Sequence, residues 1–169
     1  MRGKYVQYYV EGQDEKKLID VLKTDLRLIK PGKVQILNVM EEEISDFRLG
    51  TLSRGTMVVL VFDTDTGTVD TLKRNIKKLE LCPSVSEIVL IPQVPNLEGE
   101  LLRSCNIKKI GELLNSPSVT DFKRDLIKVS NLGRKLKEHQ FDIGRLWSKN
   151  PGTPYQEIKN QSERIKKDK

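Results

Sequence analysis

Met57–Phe62 (MVVLVF) is an unbroken run of six apolar residues that ends abruptly at Asp63-Thr64-Asp65-Thr66-Gly67. A strand with one wet face alternates polar and apolar side chains, whereas a strand covered on both faces has no polar positions. The run therefore predicts the central strand of a parallel sheet with helices on either side. The flanking sequence supplies matching units. Tyr5–Val10 (YVQYYV) is rich in strand formers and stops at Glu11-Gly12, where glycine permits a tight turn. Asp14–Lys23 follows with Leu18, Ile19 and Leu22 at helical spacing and Val21 beside them, and Pro31-Gly32 closes the unit. Val34–Met40 is a second strand candidate, and Glu41–Thr56 reads as a long loop or as a short helix plus loop. Val69–Leu81 carries Leu72, Ile76 and Leu79 on one helical face, Pro83 ends it, and Glu87–Val94 (EIVLIPQV) gives a further strand.

The predicted fold class is α/β: an open, mainly parallel four-stranded sheet flanked by helices, spanning residues 1–115. Beyond Asn96 the strand signal stops. Leu97–Cys105, Ile107–Leu114, Asp121–Val129, Leu132–His139 and the region around Ile143–Trp147 read as short helices, so residues 116–169 form a basic helical extension. The tail from Gln161 is polar and is expected to fray. No apolar run approaches the roughly 20 residues that span a bilayer, and the N-terminal stretch lacks a cleavage motif. The expectation is a soluble, cytoplasmic protein without a membrane partner.

Charge is informative once mapped. Residues 1–120 hold 17 basic and 17 acidic side chains, and residues 121–169 hold 13 basic against 7 acidic, so the net +6 sits in the last third. Such a surface suits phosphate backbones, although a solvated lysine-rich helical face has the same composition. Trp147 and Tyr155, near Arg145 and Lys149, are stacking candidates for a nucleic-acid strand or, for Trp147, a core anchor. Cys82, Cys105 and His139 are the only soft ligands, which excludes zinc chemistry and a disulfide framework.

The acids at the strand ends are the residues that carry chemistry, because open α/β sheets bind ligands outside the carboxyl ends of their strands. Glu11 follows the first strand, Asp63 and Asp65 follow the central one, and Glu98 and Glu100 lie just beyond the last. Carboxylates forced into one cleft repel one another, and a hard divalent cation is the usual way to neutralise them. Oxygen ligands without soft ones favour Mg²⁺ or Mn²⁺. Taken singly, each acid could equally be a helix-terminal or turn residue.

VEGQDEKKLIDVL (Val10–Leu22) followed by VLVFDTDTG (Val59–Gly67) resembles the paired signature of the topoisomerase–primase (Toprim) domain superfamily, over about residues 4–105. EGQDEK at Glu11–Lys16 and the PNLEGELL stretch are most similar to the overcoming-lysogenization-defect and RloB-like nucleases. The resemblance implies a divalent-metal-dependent nuclease that cleaves DNA or RNA in defence against phage. Glu11, Asp63 and Asp65 would be catalytic, and the same three with Glu98 would hold the metal; Glu100 competes with Glu98, and Asp14 and Glu15 are weaker candidates. The larger defence nucleases carry an ATPase. Here Gly50–Thr56 has the glycine spacing of a phosphate loop without its lysine, so an ATPase would be a separate partner. Two alternatives stay open. One is a catalytically inactive Toprim module that binds nucleic acid or docks a partner. The other is a haloacid-dehalogenase-like phosphatase with Asp63 as nucleophile and Asp65 as acid/base, although EIVLIPQVP lacks the Ser or Thr that family expects.

Overall fold

The computed structural model describes residues 5–167. Four strands, β1 (Tyr5–Val10), β2 (Lys33–Ile36), β3 (Thr56–Asp63) and β4 (Val85–Gln93), form one sheet in the order β2-β1-β3-β4, with every neighbouring pair parallel. Helix α1 (Gln13–Asp20) runs into a π-helical turn (Val21–Asp25) between β1 and β2; α2 (Asp46–Gly50) joins β2 to β3, and α3 (Asp70–Glu80) joins β3 to β4. Then follow α4 (Leu97–Ser104), α5 (Val119–Lys128) and α6 (Leu132–Glu138), with 3₁₀ turns at Ile110–Glu112 and Ser162–Arg164. The expected α/β class and open parallel sheet are what the chain forms. No helix among the described residues is long and apolar enough to cross a membrane.

The apolar run divides its side chains between two cores. Met57, Val59 and Val61 of β3 join Tyr8 and Val10 of β1 in one cluster with residues of α1, α4, α5 and α6, whereas Val58, Leu60 and Phe62 join Tyr9 in a second cluster with Leu72 and Leu79 of α3. Strand side chains alternate between faces, so a strand clad on both must be apolar at every position. The two connections also leave the sheet centre in opposite directions: β1 leads to β2 at one edge, and β3 leads to β4 at the other. Strand order therefore reverses between β1 and β3, and open α/β sheets bind ligands outside the carboxyl ends of the strands at such a reversal.

Several local expectations are altered. The second strand stops at Ile36 rather than Met40, because Asn38 turns the chain: its side chain accepts the Met40 N–H and its carbonyl accepts the N–H groups of Glu41 and Glu42. Leu37, Val39 and Met40 are buried all the same. The Glu41–Thr56 stretch resolves into a short helix plus loop, with Ser45 capping α2. Of Ile107–Leu114 only a 3₁₀ turn is helical, and Ile143–Trp147 is a turn segment. Gly12 has φ −158°, extended backbone open to any residue, so the turn after Glu11 does not require glycine.

The tail is packed rather than frayed as far as Lys167, and residues 168–169 lie outside the described residues. Ile165 is fully buried, Ile29 and Lys166 form an antiparallel bridge, and Gln161 exchanges two hydrogen bonds with the Leu90 backbone. β4 is an edge strand whose free side would template pairing with another chain. Gln161 and an Arg164–Glu87 ion pair cover that side.

Candidate metal centre

The chain delivers three carboxylates to the carboxyl ends of β1 and β3. Glu11 is the first residue past β1, Asp63 is the last residue of β3, and Glu15 stands one helical turn beyond Glu11 in the first turn of α1. Among the described residues, ligand oxygens of Glu11, Glu15 and Asp63 lie within 4.8 Å of one another. The backbone N–H of Asp63 donates to Glu11 Oε2 at 3.2 Å, which ties the ends of the two strands together.

Burial and mutual repulsion dominate the electrostatics. Glu15 is only 8 % exposed. Burial, aided by the charges of Glu11, Asp14 and Glu98, pushes its pKa up to about 7. Burial also raises Asp63 well above the usual carboxylate range, with Glu11 and Glu15 adding to the effect and a hydrogen bond from Gln93 opposing it. Glu11 is raised by burial, in part offset by the Asp63 N–H. All three shifts express one fact: ionising these carboxyls side by side, away from water and with too little positive charge beside them, is costly.

Glu15 is the least compensated member. Among the described residues its carboxylate accepts a hydrogen bond only from its own backbone N–H, and none of the three acids forms an ion pair. A neighbouring acidic pair is treated differently. Glu98, in the first turn of α4, meets the ammonium of Lys123 from α5 at 3.5 Å, and the charge of Lys123 also lowers the Asp14 pKa that burial and Glu98 raise. Among the described residues Glu98 has an ion-pair partner, whereas Glu11, Glu15 and Asp63 have none.

The remaining strand-end acids occupy different settings. Asp65 is exposed and accepts from Asn96 Nδ2 at 3.3 Å; it stands outside the inner group, although its charge reaches both Glu11 and Asp63. Glu100 is fully buried and saturated: it accepts the backbone N–H of Val94 at 2.7 Å, that of Trp147 at 2.8 Å and Arg103 Nη1 at 2.6 Å, so its oxygens hold the fold together. The loop carrying Asp65 is anchored by Tyr155, whose hydroxyl is 2.8 Å from both the Gly67 N–H and Thr66 Oγ1. Trp147 and Tyr155 are buried, at 1 % and 2 % exposure, and neither offers a ring to a strand in solvent.

Sequence reasoning passed over Gln93, the last residue of β4. It pairs in register with Asp63 and donates from Nε2 to Asp63 Oδ1 at 2.8 Å. This is the strand end where a phosphatase of the haloacid-dehalogenase type expects Ser or Thr. A polar residue closing an apolar strand was the available signal.

Fold and site together define an α/β protein whose parallel sheet gathers uncompensated carboxylates at its point of strand reversal. No family model matches the chain, and no curated protein or solved structure is significantly similar to it.

Proposed function

We propose that the chain is a divalent-metal-dependent nuclease of the Toprim kind, with Glu11, Glu15 and Asp63 holding Mg²⁺ or Mn²⁺. The observation that carries this reading is Glu15: a carboxylate nine-tenths buried, turned toward two others, with no donor outside its own residue among the described residues. An apolar or hydrogen-bonding side chain there would be easier to bury, and a bound cation gives the charge a partner. The donor set fits, since it consists of hard oxygens gathered within 4.8 Å of one another, and oxygen ligands of this kind suit Mg²⁺ or Mn²⁺.

When bound, a cation of this type supplies positive charge to a phosphodiester as negative charge develops on its oxygens. The chain's own groups contribute the rest. The backbone N–H of Asp63 holds the Glu11 carboxylate beside the end of β3 through its hydrogen bond to Glu11 Oε2. Asp65, exposed at the rim, is available to orient an incoming water or a second ligand. Glu98 neutralises Lys123 in the free protein, and a phosphate arriving at the rim would compete for that ammonium. The excess of basic residues after position 120 supports a nucleic-acid substrate, DNA or RNA. Two free cysteines suit a cytoplasmic setting, and a separate ATPase is the partner that the Toprim resemblance implies.

The test is a cleavage assay on single- and double-stranded DNA and RNA with Mg²⁺ or Mn²⁺. Cleavage is expected with metal, none with chelator, and none for Asp63→Asn. Salt-sensitive binding that ignores metal and yields no products would instead identify a binding module. A phospho-aspartate trapped at Asp63 would identify a phosphatase.

A further inference from the structure

We infer that Gln93 and Trp147 act as positioning residues, a two-step relay that fixes the direction of the Asp63 carboxylate and thereby sets divalent-cation affinity. The inference rests on the metal-site reading above.

The relay follows from donor chemistry. An indole N–H can only donate. Trp147 Nε1 lies 3.3 Å from Gln93 Oε1, so the carbonyl end of the Gln93 amide is turned to the tryptophan and its NH₂ end is turned to Asp63 Oδ1 at 2.8 Å. Gln93 and Trp147 are buried, leaving little solvent to substitute for either partner. With one Asp63 oxygen held by a fixed donor, the direction of the other is fixed as well. Without the indole N–H, the amide can turn over and present its oxygen to the carboxylate, which repels the charge a cation needs.

Trp147 is itself held firmly. Its φ is 54°, in the left-handed region that a bulky residue adopts only where surrounding contacts over-determine it. Those contacts are on both sides of the residue. Its N–H donates to the saturated Glu100, and its carbonyl accepts from Ser162 Oγ at 2.9 Å and from Asn160 Nδ2. The C-terminal segment thus aims one indole N–H at a residue whose other end touches the site. Partners one step behind metal ligands are worth about 10- to 100-fold in affinity, because they orient the ligand.

The experiment measures Mn²⁺ affinity of the full chain by electron paramagnetic resonance, with melting temperatures taken in parallel. Gln93→Met is expected to weaken binding about tenfold, and Trp147→Phe, which keeps the ring bulk and the backbone donor, to weaken it less. The double variant should bind like Gln93→Met alone, because Trp147 acts on the metal only through Gln93. Additive losses, or unchanged affinity in Gln93→Met, would overturn the relay and leave the metal site standing. If Gln93→Met does not fold, Trp147→Phe decides: reduced affinity at an unchanged melting temperature supports the relay, and unchanged affinity overturns it. Failure of the wild-type chain to take up Mn²⁺ would remove the metal-site reading and the relay together.

Discussion

Glu15 states the residue-scale problem most sharply, since a buried carboxylate facing two others destabilises the fold whenever it is ionised. Its pKa in the folded chain, about 7, lies above its ordinary value of 4.5, so the folded chain binds the proton more tightly than the unfolded one. The contribution is fully present below the unfolded pKa and is lost as the pH rises through 7. It is worth on the order of 3 kcal/mol. In metal-free buffer Glu15→Gln should therefore melt several degrees above the wild type at pH 8 and close to it at pH 4, while losing stabilisation by Mg²⁺. Thermal melts at the two pH values, with and without Mg²⁺, check this; a Glu15→Gln protein less stable than wild type at pH 8 would show that the ionised group is compensated after all. Glu11 and Asp63 were legible in the sequence because each directly follows an apolar strand. Glu15 is less legible there, since only the direction of α1 relative to β1 decides whether its side chain faces Glu11 and Asp63 or solvent.

Elements succeed or fail here on a few polar and small residues that periodicity does not flag. α3 was expected to bury Leu72, Ile76 and Leu79, yet the third fully covered position between its ends is Asn75. Its side chain donates to the carbonyls of Val39 and Glu42 and accepts the Ile44 N–H, which fastens the loop after β2 to the helix. Asn75→Ala leaves those backbone groups without partners in a dry core, and a loss of about 3 kcal/mol is expected in urea denaturation. Gly32 plays a comparable part at the start of β2, where an added Cβ would stand 2.4 Å from the Val6 carbonyl oxygen of β1. Gly32→Ala must push β2 away from its neighbour and should lower the denaturation midpoint by about 1–3 kcal/mol of stability. In the sequence Pro31-Gly32 signals only a turn; the close approach of two backbones leaves no trace there. The apolar pattern of Val34–Met40 outruns β2 for a related reason, because Leu37, Val39 and Met40 are buried without continuing the ladder.

At the scale of the molecule, the basic segment after residue 116 is part of the construction of the first core rather than a detached surface. Phe122, Leu126, Leu132, Leu136, Ile143, Leu146 and Trp147 share one apolar cluster with the strands, and Ile165 closes it. A chain ended at Asn160 would lose Ile165 and uncover the outer side of β4, so it should melt well below the full chain and associate through that edge. Calorimetry with light scattering would test this; a truncated chain as stable and as monodisperse as the full one would refute it. The sequence by itself determined the α/β class, the central strand and the ends at which acids emerge, because strand burial and helical amphipathicity are written in local spacing. Only the tertiary structure decided which of those acids meet, that Glu98 has its own lysine while Glu15 has no ion-pair partner among the described residues, and that Gln93 and Trp147 stand behind Asp63. Those outcomes depend on distances between residues far apart in the chain, 52 positions for Glu11 and Asp63 and 30 for Asp63 and Gln93, which are set by how helices settle on the sheet.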